Sequence, residues 1–141
     1  IAGHYRDEHI DVVVAPAVGG ILVAYEVARQ LGVKAIFCER QEGRMMLRRG
    51  FTIEPGQRVL VVEDVITTGG SVQEVIDVVR EWQGDVVGVG VLVDRSGGKV
   101  DFGIRTEAVL TLDIESFPAD DCPLCREGKL PAVKPGSRSL S

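Results

Sequence analysis

One stretch of the sequence, residues 59–71, restricts the possible fold more than any other part of the chain. It begins with four apolar residues, Val59 to Val62, which indicate a strand that is buried on both faces. Two carboxylates, a short run of hydroxyl and glycine residues, and an apolar pattern of helical spacing at residues 72–79 follow in that order. The sequence therefore predicts a buried strand that passes through a polar loop into a helix, the repeating unit of a parallel α/β sheet.

The loop between this strand and this helix carries groups that suit a phosphorylated sugar. Glycines allow the backbone to approach a ligand closely, and N–H groups at the start of a helix point towards an anion. Thr67, Thr68 and Ser71 add hydroxyl groups, while Glu63 and Asp64 can accept hydrogen bonds from ribose hydroxyls. An acid pair after a strand is by itself more often an ordinary polar turn, so the prediction depends on the ordered combination.

Length and composition exclude several classes of function. A chain of 141 residues predicts one domain with a sizeable core. A net charge of −5 leaves no overall basic surface for nucleic acid, and no apolar run reaches the ~18 residues that a membrane span needs. Three cysteines provide no disulfide framework, which favours a reduced, cytoplasmic setting.

Strand-like and helical patterns alternate along the chain. Strands are predicted at residues 9–16, 34–38, 58–63, 86–93 and 108–112, and helices at residues 21–31 and 71–83. The alternation predicts a central parallel sheet with helices on both faces, and ligands in such sheets bind at the carboxyl ends of the strands. The loops expected there are residues 17–20, 63–71 and 94–98. We predict a core domain of residues 1–115 and a loosely packed tail of residues 116–141.

Residues 59–71 resemble the 5-phosphoribosyl 1-diphosphate (PRPP) signature of type I phosphoribosyltransferases along their whole length. The resemblance implies the fold of that family, and it implies that PRPP is bound by Glu63, Asp64, Val65, Ile66, Thr67, Thr68, Gly69, Gly70 and Ser71. Residues 15–20 resemble the pyrophosphate-binding loop of the same family, which implies further contacts from Ala17, Val18 and Gly19. That loop often contains a non-proline cis peptide, which we predict at Ala17–Val18. Two glycines alone would fit a tight β–α turn about as well.

Residues 39–51 contain two glycines and several arginines, a composition typical of a mobile lid over a charged ligand or of a solvated hairpin. Beside the other motifs, the segment resembles the catalytic loop of orotate phosphoribosyltransferases, with a hairpin arm predicted at residues 45–53. The resemblance implies that Arg40 and Arg44 contact PRPP and act in catalysis. Members of the family are dimers whose loop reaches the neighbouring site, which implies a homodimer in which these arginines act in trans.

Arg95 follows the predicted strand at residues 86–93. An Asp-Arg pair in this place is most often a salt bridge or a turn cap. In orotate phosphoribosyltransferases the matching arginine faces the carboxylate of the pyrimidine, and a guanidinium suits a planar carboxylate through two parallel hydrogen bonds. The resemblance therefore implies that Thr67 and Arg95 bind orotate, and that Asp64 is a catalytic residue.

The implied reaction transfers the 5-phosphoribosyl group from PRPP to orotate, giving orotidine 5′-monophosphate and pyrophosphate in pyrimidine biosynthesis. It implies Mg²⁺ held mainly by PRPP oxygens, with no dedicated protein ligands. The alternatives are a purine or other nucleobase phosphoribosyltransferase, and a PRPP-binding regulator of the same fold without catalysis. We expect that the N-terminal hood of the family, which supplies further orotate contacts, is not part of this sequence.

Cys122 and Cys125 form the last motif. A Cys-x-x-Cys pair can be half of a zinc site, but the sequence has no second pair, and its two histidines, His4 and His9, form no ligand cluster. We expect a structural or incidental role for the two cysteines. Residues 122–138 also resemble the tail of bacterial orotate phosphoribosyltransferases.

Overall fold

The computed structural model describes residues 1–115, 117–118 and 121–128. Six strands form its sheet: β1 (Val12–Pro16), β2 (Lys34–Gln41), β3 (Arg44–Leu47), β4 (Arg58–Ile66), β5 (Asp85–Asp94) and β6 (Thr106–Thr111). Three α-helices, α1 (Gly20–Leu31), α2 (Gly70–Glu81) and α3 (Pro123–Glu127), and a 3₁₀ helix at Ala2–Tyr5 complete the described elements. Among the described residues, no helix is long and apolar enough to cross a lipid bilayer.

The strands lie in the order β3-β2-β1-β4-β5-β6. All neighbouring pairs are parallel except β2 and β3, which form an antiparallel hairpin at one edge. The predicted parallel sheet is thus confirmed for five strands, and the hairpin makes the whole sheet mixed. The hairpin arm is shorter than predicted, because β3 ends at Leu47, whereas β2 extends beyond residue 38 to pair with it.

The two central strands are buried on both faces, as their continuous apolar runs predict. Val12 and Val14 of β1, with Val59 and Val61 of β4, pack in one cluster with the apolar residues of α2. The alternate residues of these strands, which include Val13 and Leu60, pack against α1 in a second cluster. Successive side chains of a strand point to opposite faces, so the helices cover opposite sides of the sheet.

Tyr5 fixes the N-terminal 3₁₀ helix to β5. Its side chain is fully buried, and its hydroxyl donates a hydrogen bond to the carbonyl of Val89 at 2.8 Å. Burial raises the pKa of Tyr5 to about 12. A Cβ at Gly88 would overlap the Tyr5 ring, and one at Gly90 would overlap Ile1, so these glycines leave the space that the segment occupies.

Several element boundaries differ from the predicted ones. β1 begins at Val12, because residues 9–11 connect it to the N-terminal segment, and the Asp11 N–H donates to the carbonyl of Arg58 instead. Helix α2 ends at Glu81, where Gln83 adopts a left-handed φ of 61° and the chain reverses towards β5. The division at residue 115 stays a prediction, and residues 116, 119–120 and 129–141 of the predicted tail lie outside the described residues.

Candidate functional site

The loop after β1 lies against the carboxyl end of β4, as the adjacent positions of these strands predict. β4 continues to Ile66, so Glu63 and Asp64 belong to the strand itself and not, as predicted, to the loop that follows it. A Cβ on Gly19 would overlap the carboxylate of Asp64, and a Cβ on Gly20 would lie 3.0 Å from Oε1 of Glu63. The close approach therefore requires glycine on the β1 side. The peptide bond between Ala17 and Val18 is cis, which confirms that prediction.

The two carboxyl groups at the end of β4 have different environments. Glu63 is buried, and its Oε1 accepts a hydrogen bond from the Asp64 N–H at 3.0 Å. Burial, followed by the hydrogen bond to the Asp64 side chain, raises the pKa of Glu63 to about 8. Asp64 is more accessible, and its Oδ1 accepts from the Val65 N–H at 2.8 Å. Near neutral pH the pair thus combines a protonated carboxyl, which can donate, with a neighbour that can accept.

The loop after this acid pair leads directly into α2. Gly69, with a left-handed φ of 77°, precedes the helix. The side chains of Thr67, Thr68 and Ser71 have no hydrogen-bond partner among the described residues, and the first N–H groups of a helix lack partners within it. These groups surround a cavity of about 70 Å³, which residues 63, 65–72 line. The arrangement suits an anion such as a sugar phosphate.

Arg95 lies in a second, larger cavity of about 740 Å³ that is continuous with the same loop. Its lining residues are Thr67, Thr68, Arg95, Ser96, Lys99, Val100, Asp113, Ile114 and Glu115. The backbone N–H of Arg95 donates to the carbonyl of Ile66 at 2.9 Å, which joins the loop after β5 to the phosphate loop. The structure thus brings Thr67 and Arg95, the two predicted orotate-binding residues, to one cavity.

The Asp-Arg pair is a turn cap and not a salt bridge. The buried Asp94 carboxylate accepts from the backbone N–H groups of Ser96 at 2.7 Å and Gly98 at 3.0 Å. Burial raises the pKa of Asp94, but the Ser96 side chain and these two N–H groups together lower it by more, so the net shift is downward and the carboxylate stays ionised. Among the described residues, no carboxylate lies within salt-bridge distance of Arg95. Its guanidinium is therefore free to bind an anion in the cavity.

Two features of this cavity could not be predicted from the sequence motifs. Lys99 and Asp113 form an ion pair at 2.8 Å at its lining. Val100 and Phe102 pack so closely on Gly69 that a Cβ there would come within 3 Å of both side chains. The residues after the Arg95 loop therefore support the phosphate loop, and only the tertiary fold shows this contact.

Arg40 and Arg44 lie on the β2–β3 hairpin, and neither lines the phosphate-loop cavity or the Arg95 cavity. Arg40 pairs with Glu74 at 2.8 Å, and Arg44 pairs with Glu81, the last residue of α2, at 3.1 Å. α2 begins at the phosphate loop and rises about 1.5 Å per residue, so Glu81, the partner of Arg44, lies roughly 16 Å along the helix from that loop. The structure does not bring these two arginines to the chain's own phosphate site, so their catalytic role stays a prediction.

Comparisons with known proteins agree with this geometry. The phosphoribosyl transferase domain family matches residues 1–102. The chain is 60% identical over its full 141 residues, and over 73% of the relative, to an orotate phosphoribosyltransferase of Desulforamulus reducens.

Solved structures share the same architecture. An orotate phosphoribosyltransferase from Aeropyrum pernix aligns with a TM-score of 0.63 and 29% identity, over 78% of this chain and 65% of that one. An adenine phosphoribosyltransferase from Rhodothermus marinus aligns with a TM-score of 0.67 and 25% identity, over 78% of this chain and 74% of that one. The fold is thus similar to enzymes for both bases, and the base must be decided by the site.

Proposed function

This chain belongs to the phosphoribosyl transferase family, and we infer that it is an orotate phosphoribosyltransferase, which transfers the 5-phosphoribosyl group from PRPP to orotate. The observation that carries this conclusion is the unpaired Arg95 in a cavity that also contains Thr67 of the PRPP loop. A guanidinium without a carboxylate partner is the group that a pyrimidine carboxylate requires, and adenine has no anion to offer it.

The geometry divides the substrate between the two cavities. The 5-phosphate of PRPP binds the hydroxyls and helix N–H groups after Ile66, where the α2 dipole favours negative charge. Glu63 and Asp64 hold the ribose hydroxyls, one by donating and one by accepting. Orotate lies beside them, with its carboxylate on Arg95.

In the reaction, the bond from the anomeric carbon to pyrophosphate breaks as a bond from the orotate N1 atom forms, and the proton on N1 is released to solvent. Positive charge develops on the ribose ring, and the Asp64 carboxylate beside it stabilises that charge electrostatically. Pyrophosphate leaves near the Ala17–Gly19 loop, which lies against Asp64. The fixed position of both substrates on rigid strand ends lowers the entropic part of the barrier.

We propose Mg²⁺ as the cofactor, bound mainly through oxygens of PRPP and used to neutralise the leaving pyrophosphate. Asp64 is the residue that would contact it through water, because Asp64 is the more accessible acid of the pair and Glu63 is buried with a raised pKa.

We further propose a homodimer in which Arg40 and Arg44 act on the neighbour's site. Supporting this, both arginines are substantially exposed, with side-chain exposures of 47% and 69%, and neither lines the phosphate-loop cavity or the Arg95 cavity. A cytoplasmic setting is also proposed, supported by three cysteines that are free thiols.

A turnover assay with PRPP and Mg²⁺ tests the function. Orotate, uracil, adenine and guanine are supplied in turn, and nucleotide formation is followed by chromatography. We expect product with orotate and less than about 1% of that rate with the other bases, since a site that pairs Arg95 with the base carboxylate rejects a base that leaves the guanidinium unpaired. Preferential turnover of adenine would assign a purine enzyme, and PRPP binding without turnover of any base would assign a regulator.

A further inference from the structure

Asp94 is a buried charged residue to which the proposed reaction gives no role. Its side chain is 6% exposed, and Glu63 is the other charged residue that is buried among the described residues. A buried carboxylate costs free energy unless hydrogen bonds satisfy it. The hydrogen bonds of Asp94 run to the turn that begins with Arg95, the residue that we assign to the carboxylate of the base.

The backbone of Arg95 is held on both sides. Its own N–H donates to the carbonyl of Ile66 at 2.9 Å, which joins the peptide group before Arg95 to the last residue of β4. The Ser96 N–H belongs to the peptide group after Arg95, and it donates to Oδ1 of Asp94 at 2.7 Å. Because both peptide groups are fixed, so are the two backbone angles of Arg95 and the direction in which its side chain leaves the chain.

The rest of the turn is held by further contacts to side chains. Oδ2 of Asp94 accepts from the Gly98 N–H at 3.0 Å. The Ser96 hydroxyl accepts from the N–H groups of Lys99 at 3.1 Å and Val100 at 3.3 Å. Two side chains at the end of β5 thus hold four backbone N–H groups of the turn.

The composition of the turn explains why it needs these contacts. Gly97 and Gly98 both adopt left-handed φ values, 69° and 78°. Glycine reaches this region easily, but it also has more conformational freedom to lose than any other residue. The Asp94 carboxylate holds the N–H groups of Ser96 and Gly98, one on each side of Gly97, and so restricts a turn that its glycines would otherwise leave loose.

We propose that Asp94 is a positioning residue for the base site, which aims the Arg95 guanidinium at the carboxylate of the base by accepting from the Ser96 N–H. The proposal rests on the proposed orotate activity. Arg95 carries its charge in every orientation, but two parallel hydrogen bonds to a carboxylate require one orientation of the guanidinium plane. Asp94 therefore contributes to the choice of base through Arg95 and not through a contact of its own.

Steady-state kinetics of Asp94→Ala with orotate and with uracil test the proposal. Loss of the acceptor frees the backbone at Arg95, so kcat/KM for orotate should fall at least about tenfold. Uracil has no carboxylate for Arg95 to bind, so kcat/KM for uracil and KM for PRPP should each change less than about twofold. Asp94→Asn keeps one acceptor oxygen for the Ser96 N–H, so its kcat/KM for orotate should lie between those of Asp94→Ala and the native sequence.

Asp101→Ala is the matched control. The exposed Asp101 accepts from the N–H of Gly103, two residues later, at 2.8 Å, which is the same spacing as from Asp94 to Ser96. Asp101 is not among the residues that line the Arg95 cavity, so its substitution should leave the selectivity between orotate and uracil unchanged. Urea denaturation checks that each variant is folded, and if Asp94→Ala is not, the comparison of Asp94→Asn with the native sequence provides the same test.

A double substitution separates a positioning role from a general structural one. In an Arg95→Ala background, Asp94→Ala should lower kcat/KM for orotate by less than about twofold further, because Asp94 acts through Arg95. An equal loss in both backgrounds, a parallel loss with both bases, or unchanged selectivity in Asp94→Ala would overturn the proposal. A native-sequence chain that does not prefer orotate would refute the proposed function, and the role of Asp94 with it, before any substitution is made.

Discussion

Replacement of Gly19 by alanine tests the packing of the two loops at the site. Gly19 has right-handed backbone angles, φ −59° and ψ −44°, so alanine carries no backbone strain there and its cost comes from the overlap with the Asp64 carboxylate. Asp64 must rotate away and lose the hydrogen bond from the Val65 N–H, worth about 1 kcal/mol. A displaced side-chain rotamer adds about 0.5–1.5 kcal/mol. We therefore expect the free energy of unfolding to fall by about 1.5–2.5 kcal/mol.

A double-mutant cycle isolates this contact. In an Asp64→Ala background the carboxylate is absent, so Gly19→Ala should then change the free energy of unfolding by less than about 0.5 kcal/mol, as measured by urea denaturation. In the single variant the KM for PRPP should also rise, because the acid that holds the ribose is displaced. An equal loss of stability in both backgrounds would refute the proposed contact between Gly19 and Asp64.

Two further predictions concern the lid and the buried acid. Arg44→Ala should lower kcat at least about tenfold with a smaller change in KM for PRPP, because a lid residue acts mainly in the closed transition state. The control is Arg29→Ala, which removes an exposed, ion-paired arginine of α1. An effect on KM alone would make Arg44 a ground-state binding residue. The pKa of Glu63 is raised from 4.5 to about 8, so the folded state binds the Glu63 proton more tightly than the unfolded chain does. This protonation stabilises the folded state; its contribution to the free energy of unfolding is complete below pH 4.5 and should be lost as pH rises through 8. Glu63→Gln should remove this part of the pH dependence of chemical denaturation, and an unchanged profile would contradict the raised pKa.

The sequence predicts the central part of the fold because its physical signals there are local. Continuous valine runs indicate strands that are buried on both faces. Gly32, with a left-handed φ of 72°, ends α1 as expected. The acid pair lies near the carboxyl end of β4, and the glycine loops follow β1 and β4, which are adjacent in the sheet, so their convergence follows from topology. Arg95 and Thr67 reach one cavity for the same reason.

Contacts between segments that are distant in sequence could not be predicted in this way. The fit of Tyr5 over Gly88 and the packing of Phe102 on Gly69 depend on how the elements pack together. The hydrophobic periodicity of the sequence does not indicate either contact. The position of the hairpin arginines is similarly set by pairs with α2 carboxylates, which lie more than thirty residues away in sequence. The sequence leaves open whether Asp94 forms a salt bridge or caps a turn, and only the structure shows that backbone N–H groups satisfy its carboxylate.

The most direct test of the central claim is the base selectivity of the Arg95→Ala variant, measured as kcat/KM for orotate and for uracil with PRPP held constant. We expect the variant to lose at least about a hundredfold in kcat/KM for orotate, since a charge-assisted bidentate pair is lost, while PRPP affinity is unchanged. Lys99→Ala is the matched control, because Lys99 lines the same cavity but is paired with Asp113. If Arg95→Ala keeps the selectivity of the native sequence for orotate over uracil, Arg95 does not read the base carboxylate, and the proposed orotate site is wrong.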